Sequence, residues 1–247
     1  MRKNLTIILT TLFLLAGTAS AQTYCGPRQF DGVHKNEIHG FLAYGNNVVS
    51  GRFFTESARY TRHLTDRWSI SGSQQIQFIK QQYSVDVMGT FRIPIRRSNL
   101  YLDARILYNR WNQWHTNEFI FNISASYEWR YADIRWGWSL IQYNYHGMKA
   151  EYRSFSTNLY TEPLVMTLGI GVNIRPRENW WNLGFFIRNY DAYYYENWNI
   201  NWGLRGYARL TDTMRLYGEF NIRPAGSLSQ LATRYETSLK VGLKYVW

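Results

Sequence analysis

The end of the chain alternates strictly. Tyr235, Thr237, Leu239, Val241, Leu243, Tyr245 and Trp247 fall on one side, and Glu236, Ser238, Lys240, Gly242 and Lys244 on the other. Successive strand side chains point to opposite faces, so this segment is a strand with an apolar stripe, aromatic at both ends, backed by a polar face. The same period of two recurs upstream. Trp198, Ile200, Trp202, Leu204, Ala208 and Leu210 oppose Asn199, Asn201, Arg205, Tyr207 and Arg209, and Met214, Leu216, Phe220 and Ile222 oppose Arg215, Tyr217, Glu219, Asn221 and Arg223. Phe119 to Trp129, Ile134 to Leu140, Leu164 to Ile174 and Tyr83 to Ile93 follow the same rule. Between these runs stand turn residues, the signature of hairpins. The predicted strands are 36–44, 51–64, 67–80, 82–95, 99–110, 117–130, 132–145, 158–175, 180–191, 197–210, 214–224 and 234–247. Each is long enough for the 9–11 residues that cross a bilayer at a tilt. The stretch 51–64 is the weakest, because Glu56 and Arg62 fall on its apolar side, as a bulge or a shifted register would place them.

One face to lipid and one to water, repeated about twelve times, predicts an all-β fold: a transmembrane antiparallel up-and-down β-barrel spanning 36–247. Connections two, four, six, eight and ten are short, and Leu64-Thr65-Asp66 recurs as Leu210-Thr211-Asp212. Several odd connections are longer, notably 146–157 and 225–233. Short periplasmic turns and longer external loops make such an alternation. It predicts both termini in the periplasm and 146–157 outside the cell. A soluble β-sandwich or lipocalin-like barrel would have to bury Trp136, Trp138, Trp202 and the terminal aromatics together.

The first residues set the compartment. Met1-Arg2-Lys3 precedes an apolar run from Leu5 to Ala16 and then Ala19-Ser20-Ala21. Charged start, short apolar run and Ala-x-Ala form a signal peptide, 1–21, with cleavage before Gln22. A spanning helix needs about 20 apolar residues. Residues 22–35 are expected to be an irregular tail. Cys25, the one cysteine, can form no internal disulfide, and Gln22-Thr23-Tyr24 before it is not a lipid-anchor signal.

Composition sharpens this picture. Mean hydropathy is −0.41, and no second long apolar run exists, which excludes a helical membrane protein. Yet the chain holds 11 Trp and 20 Tyr, residues that collect at membrane–water interfaces. The net charge is +11, or +9 without Arg2 and Lys3. Nucleic-acid binding is set aside, because the basic residues form no tract and a secretory signal precedes them.

The chain resembles bacterial outer-membrane β-barrel proteins over about 36–247. A terminal strand ending in an aromatic looks like the signal read by the barrel-assembly machinery, which implies that role for Tyr245 and Trp247; Phe is the usual last residue. In size, strand number and basic inner face the chain is similar to oligogalacturonate-specific porins, an analogy of design without a shared motif. The implied partners are the lipid bilayer, lipopolysaccharide and that machinery.

The inner faces carry the candidate site. The expected inward bases include Arg105, Arg135, Arg175, Arg188, Arg205, Arg209, Arg215, Arg223 and Lys240, with Arg59, Arg92, Arg130 and Lys244 beside them. The inward acids are Asp86, Asp103, Glu128, Asp133, Glu219 and Glu236. The excess of base suits a passage for small acidic solutes, since rings of one charge sign set selectivity. Arg205, Arg209, Arg215 and Arg223, on neighbouring strands, are expected to line up as a positive ladder. Two other readings stay open. One is a lumen closed by Arg–carboxylate bonds such as Arg135 with Glu128, in a barrel serving as a subunit of a secretion or uptake complex; the aromatic loop 191–198 would suit a partner or an outer girdle. The other is a lipid-modifying enzyme. It is disfavoured: among His34, His39, His63, His115 and His146 none stands in a His-x-Ser pair, and His63 near Asp66 is a lone pair at a turn. No metal or cofactor is expected.

Overall fold

The computed structural model describes residues 35–47, 51–78, 82–112, 116–145, 159–177, 179–189, 200–224 and 234–247. The expected signal peptide, nearly all of the expected tail with Cys25, and residues 146–157 and 191–198 lie outside them. Twelve strands form: β1 Asn36–Asn47, β2 Gly51–His63, β3 Trp68–Gln77, β4 Gln82–Ile95, β5 Ser98–Trp111, β6 Thr116–Glu128, β7 Ala132–Tyr145, β8 Leu159–Asn173, β9 Trp181–Arg188, β10 Asn201–Arg209, β11 Met214–Pro224 and β12 Arg234–Val246. Each pairs antiparallel with the next, and β1 pairs with β12 to close the barrel. Glu37 meets Val246 and Asn47 meets Glu236 along that seam. Closure leaves no strand edge unpaired, as a bilayer without water requires.

An even strand count puts both ends of the barrel on one rim, where the Asn36 amide donates to the Trp247 carbonyl at 3.0 Å. This turn rim carries the connections 64–67, 96–97, 129–131, 174–180 and 210–213; the opposite, loop rim carries 48–50, 78–81, 112–115, 146–158, 189–200 and 225–233. The expected length contrast therefore holds only in the second half of the chain. The repeated Leu-Thr-Asp turns share one device. Thr65 Oγ1 accepts from the amides of Arg67 and Trp68 at 3.2 and 3.0 Å, and Thr211 Oγ1 from those of Thr213 and Met214 at 3.3 and 3.0 Å.

The alternation sorts the faces as the sequence predicts. Ile123, Trp136, Trp138, Leu168, Ile170, Val241 and Leu243 point outward and are exposed. A continuous apolar surface of this size is stable facing lipid, not water. Aromatics ring both rims: Phe54 stacks on Phe78 towards the loop rim, and Tyr60 with Trp247 and Trp68 with Phe91 ring the turn rim. Three expectations need correction. β9 has 8 residues, shorter than a full crossing. The 51–64 segment carries no bulge: β2 keeps one register along both neighbours, and Glu56 and Arg62 face outward. Register shifts fall instead at Ser139/Ile141 and at Arg223/Pro224. Nor is the inner face wholly polar, since Leu107, Ile120, Ile141 and Val165 form an apolar patch on it, joined by Tyr143.

Candidate functional site: the charged lumen

Three inward carboxylates are each held between two cations. Asp86 on β4 bonds Arg59 of β2 at 2.9 Å and also pairs with Arg105 of β5. The register explains it: Arg59 lies opposite Ser73, and Ser73 opposite Asp86. The Ser73 hydroxyl between them accepts from Arg59 at 3.2 Å and donates to Asp86. Glu219 on β11 bonds Arg188 of β9 at 2.6 Å and Lys240 of β12 at 3.2 Å. Lys240 is its direct cross-strand neighbour, whereas Arg188 reaches over the inner face of β10. Asp133 on β7 pairs with Arg205 of β10 and, at 2.5 Å, with Arg177 of the 174–180 turn. Arg205 crosses the inner wall of β8 and β9 to get there, and Gly171 makes the room. A Cβ at Gly171 would collide with the Arg205 guanidinium and lie 2.8 Å from the Asp133 carboxylate.

Smaller links complete the wall. Asp103 accepts from Thr90 Oγ1 at 2.7 Å and has Arg135 at 3.4 Å. Arg135 also donates to Ser124 Oγ at 2.7 Å, and Glu128 takes Arg177 at 2.9 Å. Glu37 pairs with Lys244, and the His63 imidazole stands 3.8 Å from it. Each of these bonds joins oppositely charged or charged and polar partners in a site shielded from water, where such bonds are strong.

Of the predicted site residues, Arg105, Arg135, Arg188, Arg205 and Lys240 lie in these clusters. Arg215 and Arg223 are buried on the inner face, with Arg223 in register with Glu236. Arg175 and Arg209 are corrections, as both are exposed at the turn rim. Arg175 stacks on the Trp181 ring at 3.9 Å. The four-arginine ladder is therefore broken: Arg205 turns away from its register partner Glu219 towards Asp133, and Arg209 is exposed at the turn rim. Arg177 was missed because it sits in a turn, where alternation assigns no face. Its signal was the length of that connection, the longest on its rim. Glu37 was missed although the 36–44 alternation puts it inward.

The bore is narrow. Asn109 and Asn221 are 0% exposed and Glu219 1%. A small cavity of about 40 Å³ opens at the turn end, lined by Arg59, His63, Arg67, Ser71, Arg92 and Tyr101 among others. His39 packs between the rings of Phe41 and Tyr217, with centroids 5.9 and 5.1 Å away. His63 and Asp66 line the same cavity, but the imidazole faces Glu37. His34, His115 and His146 lie outside the described residues. Among the described residues no three His, Cys, Asp or Glu side chains are grouped to hold a metal.

No protein-family profile matches the chain, and no curated protein matches it. Solved structures do. A KdgM porin superposes with a TM-score of 0.56 at 7% identity, covering 85% of this chain and 99% of its own. Omp33 of Acinetobacter baumannii gives 0.52 at 12%, covering 88% and 100%. A NanC porin gives 0.51 at 10%, covering 85% and 98%. At these identities the likeness concerns the fold. The chain has the twelve-stranded barrel fold of bacterial outer-membrane porins.

Proposed function

We propose that this protein is an outer-membrane channel of narrow bore that passes small acidic solutes. One observation carries the reading: Asp86 and Glu219 are each shared by two cations, so these two clusters keep a net positive charge, while Arg177 and Arg205 are balanced by Asp133 and Glu128. Fixed positive charge in a low-dielectric wall draws anions, and several such sites in a row let a solute move between them. Guanidinium groups match carboxylate and phosphate geometry and keep their charge at any physiological pH. The outward apolar belt supports residence in the outer membrane. The similar KdgM porin has also been solved in complex with oligogalacturonate, which fits an acidic solute. In this reading the turn rim and both termini face the periplasm, residues 146–157 face outside, lipopolysaccharide surrounds the belt, and the barrel-assembly machinery reads Tyr245 and Trp247. The lumen has no catalytic task.

Planar-bilayer recording in a salt gradient tests it. The reversal potential should favour chloride. Arg177→Ser with Arg205→Ser should weaken that preference, while Arg209→Ser, at the exposed rim, should leave it nearly unchanged. A cation-selective current would remove the charge argument.

A second reading rests on burial. Inner polar side chains as covered as Asn109, Asn221 and Glu219 suit a closed barrel that serves as a subunit of a secretion or uptake complex. A purified, folded barrel without current would favour it.

A further inference from the structure

Arginine rings the turn rim. Each of its connections, 64–67, 96–97, 129–131, 174–180 and 210–213, contains or directly follows an exposed arginine: Arg67, Arg97, Arg130, Arg175 and Arg209. Arg62, near the end of β2, points outward and is exposed as well. Among the described residues, the exposed carboxylates of these connections are Asp66 and Asp212. The acids further in, Glu37, Glu128 and Asp133, are held by Lys244, Arg177 and Arg205. The rim therefore keeps an excess of positive charge outside the lumen.

Three of these cations lie on the aromatic girdle and not over the bore. Arg175 stacks on the Trp181 ring at 3.9 Å, and Trp180 packs edge-on to that ring at 6.2 Å. Arg130 stands 5.6 Å over the exposed Tyr131 ring. Arg62 donates to Asn36 Oδ1 at 2.7 Å, and the same oxygen accepts from the hydroxyl of Tyr60, which packs against Trp247. Trp and Tyr collect at the depth of lipid headgroups, so these guanidinium groups stand at phosphate depth. A guanidinium binds phosphate as a bidentate pair, and basic groups at a membrane surface draw anionic lipid.

Their placement also selects the partner. β2, the β6–β7 turn and the β8–β9 turn are spread around the barrel. A protein docks on one side, whereas a leaflet surrounds the perimeter. A zwitterionic headgroup brings an ammonium that needs a carboxylate, and the described residues of 129–131 and 174–180 offer no exposed one. We propose that this rim binds anionic phospholipid of the leaflet it faces, with Arg62, Arg130 and Arg175 each taking a headgroup phosphate. The proposal rests on the outer-membrane reading but not on conduction: current tests the channel, and lipid retention tests the collar.

The purified barrel is placed in nanodiscs of phosphatidylcholine and phosphatidylglycerol in equal parts, and the lipids that stay bound are identified by native mass spectrometry. The wild type should retain phosphatidylglycerol over phosphatidylcholine. Arg62→Gln with Arg130→Gln and Arg175→Gln should bring the two to parity, while a heat-modifiable band reports that this variant is folded. Arg110→Gln, exposed at the opposite rim, should keep the wild-type preference. Equal retention by the wild type overturns the proposal, as does a triple variant that still prefers phosphatidylglycerol. If that variant keeps its bound phosphatidylglycerol and loses chloride preference in a phosphatidylcholine bilayer, these arginines are a funnel for solutes instead.

Discussion

The lumen wall has two regions of equal burial and opposite chemistry. On β9 to β12, Glu219 is 1% exposed and holds Arg188 and Lys240. On β5 to β8, Ile141 is 0% exposed and touches an all-apolar patch of Leu107, Ile120 and Val165. Both result from the same inward alternation. They differ in what a deletion leaves behind. Removing an apolar group loses its own contacts and leaves a void. Removing a shared carboxylate strands two buried cations. The charged region is thus the fragile one, although its net contribution to stability is small.

The largest expected effect follows. Glu219→Ala should cost about 3–5 kcal/mol, the range for breaking a buried ion pair from one side. The urea midpoint of the barrel in detergent micelles measures it. A double variant, Glu219→Ala with Arg188→Met, should recover much of the loss, because one stranded charge goes with its partner. If Glu219→Ala unfolds at the wild-type midpoint, the cluster holds no buried charge and the contrast between the two regions fails.

A second variant sharpens the comparison at the turn rim. Arg177 bonds Glu128 and Asp133, its amide donates to the Arg130 carbonyl at 3.0 Å, and its carbonyl accepts from the Tyr207 hydroxyl at 2.6 Å. The 174–180 turn is thereby pinned to β6, β7 and β10. Arg177→Ala should cost about 1.5–3 kcal/mol, the scale of a charged hydrogen bond. That is less than Glu219→Ala, because Asp133 keeps Arg205. It should also raise single-channel conductance by freeing the turn. A stability loss with unchanged conductance would make the turn a brace only.

The strands were legible because period two survives every local accident. Even the suspect stretch 51–64 kept its register, and Glu56 and Arg62 were outward as the pattern said. What read as an error there was a real interruption of the belt. The pairing inside the lumen was not legible. An arginine side chain spans two or three strands, so neither sequence spacing nor direct register names its partner. Arg205 stands opposite Glu219 and yet binds Asp133, 72 residues away, because Gly171 clears the path. Inward hydrophobics such as Ile141 were hidden for another reason: a polar-inside expectation treats them as exceptions to strand phase, not as a second kind of wall.

The smallest expected effect lies in that second wall. Ile141→Val removes one methylene from a side chain wholly enclosed by Leu107, Ile120 and Val165. No charge or hydrogen bond is involved, so the loss is the transfer energy of the missing group plus a void smaller than a water molecule. That amounts to about 0.5–1.5 kcal/mol. The patch carries no fixed charge, so the reversal potential should stay where it is while the urea midpoint moves slightly. A shift in ion selectivity from Ile141→Val would mean that the patch positions the charged clusters across the bore. A cost as large as that of Glu219→Ala would mean that tight packing, not charge, makes the lumen fragile.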